Sequence, residues 1–356
     1  MGVIKKLRRK QAKQSAEFYS IRAMLGYSWA LFLMLLGGRE AGKSYAVVEF
    51  FVRQFVYKKR PFYWLRLTDA SQEKLLKNNA EKLVDPDIRR KYNLDLLVHG
   101  DGVYVVEKNK EGKVIKKTLM ARVLALSTFY NDKGSALFDK DFLNDPNMYY
   151  NICLDEMNRE KNERKSFDIV YAFTNQLENL VRSTKQRVRV ICIGNTLEEA
   201  SDILCAFNFI PEQFGRYKIK KKRCVIDYIE PSEAYKKRRK GTIADILMPE
   251  ASTFTNEIKT DTSLVWRGRI QKPSAVIKFG SSKEKWFTIW DSNVVSKFNG
   301  EKSQVIAMRP YIDEIFLPEA RNQIIELFDT RSFVYRNLIT FKLFQKELEL
   351  LKPRNS

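Results

Sequence analysis

The chain has 356 residues, with 64 Lys and Arg against 43 Asp and Glu, for a formal net charge of +21. Such an excess points to a polyanionic partner, either nucleic acid or an anionic membrane. No apolar run is long enough to span a bilayer, the longest covering residues 29–36, and the basic start is followed by Gln, Lys and Glu rather than an apolar core, so membrane and secretory classes are set aside.

In chain order, residues 1–20 form a basic arm. It is read either as a helical nucleic-acid arm or as a solvated terminus. Residues 29–36 form an apolar, strand-sized run that leads into Gly37-Gly38-Arg39-Glu40-Ala41-Gly42-Lys43-Ser44, with a helix expected from about Lys43. This is the pattern G-x-x-x-x-G-K-[ST] in its proper strand, loop and helix setting. The glycines let backbone N–H groups curl round phosphate oxygens, Lys43 adds a point charge on the outer phosphates, and Ser44 can ligate Mg²⁺. The expected ligands are therefore ATP and Mg²⁺. The competing reading is a glycine-rich turn without a ligand.

A second strand is expected at residues 62–67. Residues 103–106 and 114–119 read as a hairpin about Asn109-Lys110-Glu111-Gly112, and 122–126 as a further strand. Residues 149–156 read as a buried strand ending in Asp155-Glu156. An acid at the carboxyl end of a strand beside the P-loop strand can hold magnesium through water, and this role goes to Asp155. Glu156 is placed to polarise an attacking water, which a hydrolase needs and a P-loop kinase does not. The plainer alternative is that the two acids cap the next helix. A helical stretch at 167–181 precedes Arg189 to Ile193, another apolar strand, which runs into Gly194-Asn195-Thr196. Strands alternating with helices around a phosphate loop imply a mostly parallel, helix-flanked sheet. In additional-strand P-loop ATPases such a strand lies between the P-loop and Walker-B strands, and its terminal Asn or Thr senses the γ-phosphate; Asn195 fits that position.

The four cysteines, Cys153, Cys192, Cys205 and Cys224, form no C-x-x-C, and the single histidine, His99, sits in a turn-like segment. Zinc coordination and His-based catalysis find no support, and a reduced, intracellular setting is expected. The resulting division is a P-loop domain over 1–198, a linker module over 199–255 and a second α+β domain over 256–356. The basic blocks 216–223 and 236–240 are expected to add to a nucleic-acid surface. In the second domain, strands are expected at 264–270, 275–279, 286–290 and 304–308, with helices after Pro318 and Arg331.

The residues from Gly38 to Ser44, the strand Phe62 to Arg66, Asp155-Glu156, the stretch from Gln186 to Asn195, Phe207 to Pro211 and Arg238 to Gly241 together resemble the DNA-packaging motor ATPases of phi-29-like bacteriophages, relatives of the large terminases. The likeness runs from roughly 27 to 270. It implies an additional-strand P-loop ATPase in a homo-oligomeric ring, five copies docked on the portal of a procapsid in the host cytoplasm. The ring would drive double-stranded DNA inward, with a structural RNA as a further partner and no membrane. It implies that Asn195 acts with Glu156 as a switch. Arg182 would act in trans as an arginine finger, with Lys185 and Arg187 as alternatives, because Arg182-Ser183-Thr184-Lys185 stands where the family carries Arg-x-Arg. Lys133 resembles a lysine on a channel-facing loop that grips DNA. The C-terminal domain is expected to be a vestigial, RNase H-like nuclease without a working set of acids. The other readings are a terminase with an active nuclease, and a non-catalytic nucleic-acid-binding protein with a relic P-loop.

Overall fold

The computed structural model describes residues 18–132, 149–158, 167–181, 187–195, 201–211, 213–247, 263–270, 272–310 and 316–351. Lys133, Arg182, Lys185 and the start of the basic arm lie outside the described residues. The chain divides into two compact units, residues 1–203 with 211–259, and residues 204–210 with 260–356.

The first unit is built on nine strands: β1 Phe32–Gly37, β2 Phe62–Arg66, β3 Leu96–His99, β4 Gly102–Lys108, β5 Val114–Ala125, β6 Tyr149–Asp155, β7 Arg187–Asn195, β8 Gly215–Ile219 and β9 Cys224–Tyr228. Their order in the sheet is β3-β4-β5-β2-β6-β7-β1-β9-β8. The run β5-β2-β6-β7-β1-β9 is parallel throughout. The hairpin β3-β4 and the edge strand β8 add antiparallel flanks. Strands covered on both faces read as continuous apolar runs, and β2 (FYWLR) is buried at every position. Helix α1, Lys43–Lys58, turns Val47, Phe50, Phe51 and Phe55 into the core. There the ring of Phe51 meets Phe62 at 5.2 Å and Trp64 at 6.4 Å. Truncating Phe51 to alanine would cost about 3–5 kcal/mol. Helices α2 Asp69–Ala80 and α3 Pro86–Tyr92 add Leu75, Ala80 and Ile88 to the same core, and α4 Ile169–Val181 lies between β6 and β7 in the chain. Thr68 caps α2 through Ser71 in a capping box.

The strand that ends in Asn195, β7, lies between β1 and β6, as the additional-strand reading expects, so the Walker-B-type strand is one strand removed from β1 rather than directly beside it. Two other expectations change. Residues 114–125 form one strand, not two. The separate linker module over 199–255 also gives way: β9 pairs in parallel with β1, Phe32 opposite Cys224, and β8 closes that edge. The reason lies in β9, Cys224–Tyr228, which is buried at all five positions. The basic run before it disguised this strand as a surface segment. Part of that run is structural: Arg216 pairs with the buried Asp227 at 2.9 Å.

The second unit holds β10 Pro273–Lys278, β11 Trp286–Trp290, β12 Val294–Lys297, β13 Val305–Ala307 and β14 Val334–Tyr335, in the order β13-β10-β11-β12-β14. The central three strands are an antiparallel meander and each edge strand runs parallel to its neighbour. Helices α5 Pro318–Asp329 and α6 Leu338–Glu349 belong to this unit, and Phe287, Phe333, Tyr335 and Phe344 form its aromatic centre. The stretch expected as a strand at 264–270 makes only a single bridge, Val265 to Tyr335.

Candidate phosphate-binding site

The cleft forms where β1, β6 and β7 end. Gly42 ends the loop in the left-handed region, φ 81°, a conformation that glycine adopts at little cost, and it caps α1 without any side-chain hydrogen bond. The first N–H groups of α1 are therefore not taken by a side-chain cap, as an anion-binding helix terminus requires. A cleft of about 500 Å³ lies here, lined by Arg39 through Tyr45, Asp155, Glu156, Ile193 and Asn195.

Lys43 is almost fully buried. Its Nζ donates to Gly37 O at 2.9 Å, to Gly38 O at 2.6 Å and to Asn195 Oδ1 at 3.4 Å. Burial pushes its ammonium down to about 8, with Asp155 opposing the shift. Ser44 Oγ donates to Asp155 Oδ1 at 3.1 Å, so the two oxygens expected to share a magnesium ion already face each other. Glu156 sits at φ 55°, which bends the chain sharply after β6 and sends its carboxylate into the cleft lining. The bend is tied to β7: Met157 N–H donates to Ile193 O at 2.9 Å, and Asn158 Nδ2 donates to Asn195 O at 3.1 Å. Gly194 permits this approach, since a Cβ there would lie 2.9 Å from Met157 Cε.

The structure thus brings together the loop Gly37, Gly38, Arg39, Glu40, Ala41 and Gly42 with Lys43, Ser44, Asp155, Glu156 and Asn195. Arg182 and Lys133 lie outside the described residues. The donor set fits a magnesium–triphosphate group: a buried cation, an uncapped helix start and a hydroxyl–carboxylate pair.

Two contacts escaped the sequence reading, which had noted Arg66 only as the end of its strand. Arg66, at the end of β2, bridges both acids, donating to Asp155 Oδ2 at 3.0 Å through Nη1 and to the Glu156 carboxylate through Nη2. Its position at the end of an apolar strand was the available signal. The other is the helix Glu233–Arg239, which holds the phosphate loop from behind. Tyr235 donates to Arg39 O at 2.9 Å, Arg238 to Glu40 O at 2.6 Å, and Arg239 pairs with the Glu40 carboxylate at 3.1 Å. Within the block 236–240, these two arginines serve the loop.

A parallel-rich α/β sheet carrying a glycine-rich phosphate loop opposite a paired Asp-Glu defines a P-loop nucleotide-binding class of protein. Within that class the chain belongs to the podovirus DNA encapsidation protein (Gp16) family, whose model matches residues 13–265. It is 25% identical over 234 residues to a DNA packaging protein of Bacillus phage phi29, covering 64% of this chain and 62% of that protein. The match therefore spans less than two thirds of that relative's length. Among solved structures, the phi-28 gp11 DNA packaging motor gives a TM-score of 0.62 at 16% identity, covering 96% of this chain and all of that one. The bacteriophage phi-29 genome packaging motor assembly gives 0.63 at 20% identity, covering 95% and all of that chain. At these identities the likeness is one of fold.

Proposed function

We propose that this chain is an additional-strand P-loop ATPase that drives double-stranded DNA into a viral procapsid as one subunit of a homo-oligomeric ring, five copies docked on a portal. The observation that carries the reading is the meeting of Lys43, Ser44, Asp155, Glu156 and Asn195 at one sheet edge in a chain of this family. Ser44 and Asp155 would hold Mg²⁺, which when bound neutralises phosphate charge. Lys43 binds the outer phosphates. Glu156 takes the proton of the attacking water and orients it, and Asn195 reports phosphate occupancy to Lys43 and to the bend after β6. Arg66 holds Glu156 in the resting arrangement, so its release is the step that readies the base.

Arg182 supplies the trans finger and Lys133 the grip on DNA. A structural RNA is a further partner, the second unit is a vestigial nuclease-like module, and the site of action is the procapsid in the host cytoplasm. The family membership and the nucleotide-site geometry support this reading. ATP hydrolysis measured with and without double-stranded DNA, together with packaging into procapsids, tests it. DNA-stimulated hydrolysis coupled to packaging is expected; hydrolysis indifferent to DNA would sink the motor reading. Manganese-dependent nicking would replace it with a nuclease-active terminase. Packaging at the normal rate by Lys133→Ala would move the grip elsewhere, and hydrolysis surviving in Arg182→Ala would move the finger to Lys185 or Arg187.

A further inference from the structure

The opposite edge of the same sheet carries a second cluster. Tyr149 opens β6 and Arg187 opens β7, and the two are register partners, as are Asn151 and Arg189 one step further in. Residues two apart in a strand share a face, so Tyr149, Asn151, Arg187 and Arg189 lie on one side of the sheet. Helix α1 brings Phe50 and Arg53 to the same place. Arg60, Arg187 and Arg189 all approach the Tyr149 ring, at 4.9, 5.7 and 4.7 Å. Arg189 also lies 5.3 Å from the Phe50 ring, and Arg53 5.9 Å from it. Arg187 donates to the Tyr149 hydroxyl at 2.9 Å.

Arg189 is half-buried, and a second guanidinium, Arg60, shares the Tyr149 ring with it. Among the described residues, neither Arg187 nor Arg189 forms an ion pair with a carboxylate. Beside Arg189, Asn151 is fully buried with neither amide atom hydrogen-bonded among the described residues. A guanidinium that lies over a ring is fixed by its face, which leaves N–H donors at its rim. Aromatic-backed arginines such as Arg187 and Arg189, with no carboxylate paired to them among the described residues, suit planar, multidentate recognition of phosphate, and Arg53, although Glu49 lies near it, and Arg60 add positive charge beside them. The cluster is also too far from the nucleotide cleft to serve it within one subunit, since β6 alone separates the two edges by about 20 Å.

We propose that the Arg53–Arg60–Arg187–Arg189 cluster around Tyr149 and Phe50 is a second phosphate-binding surface, which takes the backbone of double-stranded nucleic acid without reading its sequence. It deepens the proposed action on DNA, but needs only binding and no hydrolysis. The test is therefore made without ATP. Fluorescence anisotropy of the full chain with a labelled duplex of about 30 base pairs is measured across a salt series; each lost phosphate contact lowers the slope of log affinity against log salt by about 0.9. Arg53→Gln/Arg187→Gln should lower that slope by about 1.8, and Arg53→Lys/Arg187→Lys should keep it. The charge-matched control Lys110→Gln/Lys113→Gln, at the exposed β4–β5 turn, should leave the slope nearly unchanged. Circular dichroism melts check that each variant is folded. Equal slopes for the cluster variant and the control overturn the inference while the DNA reading stands. Failure of the unaltered chain to bind DNA at all overturns both. A cluster variant that keeps its slope but changes its oligomeric state in sedimentation assigns the arginines to a contact between copies, and equally overturns the proposal.

Discussion

The two ends of β6 and β7 hold arginine in opposite ways. At the carboxyl edge Arg66 is flanked by carboxylates, Asp155 and Glu156, and its charge is already answered within the fold. At the amino edge Arg189 is flanked by rings, Tyr149 and Phe50. A carboxylate-paired arginine positions other groups; an arginine stacked on a ring keeps its donors for a ligand. Parallel strands make the contrast possible, because they gather all their ends of one kind at one edge and leave the other edge for a different chemistry.

The largest effect should come from removing the base while keeping its shape. Glu156→Gln retains a hydrogen-bond acceptor for Arg66 but cannot take a proton. Steady-state hydrolysis should fall at least about a hundredfold, while ATP binding stays within a few-fold of the unaltered chain. Normal turnover would show that Glu156 is not the base and that the carboxyl edge only binds. Next in size is Arg66→Met. Asp155 would be left nearly buried with one partner fewer, and breaking such a pair costs about 3–5 kcal/mol. Denaturant unfolding should show a loss of that order. An unchanged midpoint would mean that the Arg66 pairs are as dispensable as surface ones.

The carboxyl edge was the legible half of this molecule. Gly37 to Ser44 and Asp155-Glu156 are each contiguous in sequence and their chemistry dictates their spacing, so the residues that line the cleft could be grouped before any fold was known. Asn195 needed only the apolar strand before it. What could not be read was contact between distant segments. Nothing in the run from Lys236 to Lys240 says that Arg238 and Arg239 reach Glu40, some 200 positions earlier; by composition it is a solvated basic block. The strand Cys224–Tyr228 was hidden in the same manner, since its neighbours are charged while its own five residues pack beside β1. The arginine cluster was visible only as scattered basic residues, because register, not spacing, sets Arg187 beside Tyr149.

Lys43 gives the carboxyl edge a pH signature that the amino edge lacks. Burial lowers its ammonium to about 8 in the nucleotide-free protein. Between about 8 and the ordinary lysine value, the unfolded chain holds a proton that the folded one does not. The nucleotide-free protein therefore gains stability as pH rises through this window, and below it carries the full cost of the buried charge. Nucleotide binding has the reverse sign: phosphates call the proton back, so affinity weakens above pH 8. Titration calorimetry should show ATP binding roughly tenfold weaker at about pH 9 than at 7, with proton uptake, and Lys43→Ala should flatten the dependence. A flat profile in the unaltered chain would place the charged lysine in the nucleotide-free state as well.

The smallest effect concerns the helix behind the loop. Tyr235 is buried, and among the described residues its hydroxyl donates to a backbone carbonyl, Arg39 O, at 2.9 Å. Tyr235→Phe keeps the ring and deletes one neutral hydrogen bond, worth about 1 kcal/mol net. The loop would still be held by Arg238 at Glu40 O and by the Arg239–Glu40 pair, whose acid is largely exposed and so contributes little. The expected result is a few-fold weakening of ATP affinity with the hydrolysis rate of the bound state intact, because Asp155 and Glu156 sit at the end of β6 and not on this helix. A matching loss in turnover would mean that the helix sets the geometry of Lys43 and Ser44 rather than merely steadying the loop. In that case the basic block at 236–240 would count as part of the nucleotide site, and the contrast between the two edges would have to be drawn from β6 and β7 alone.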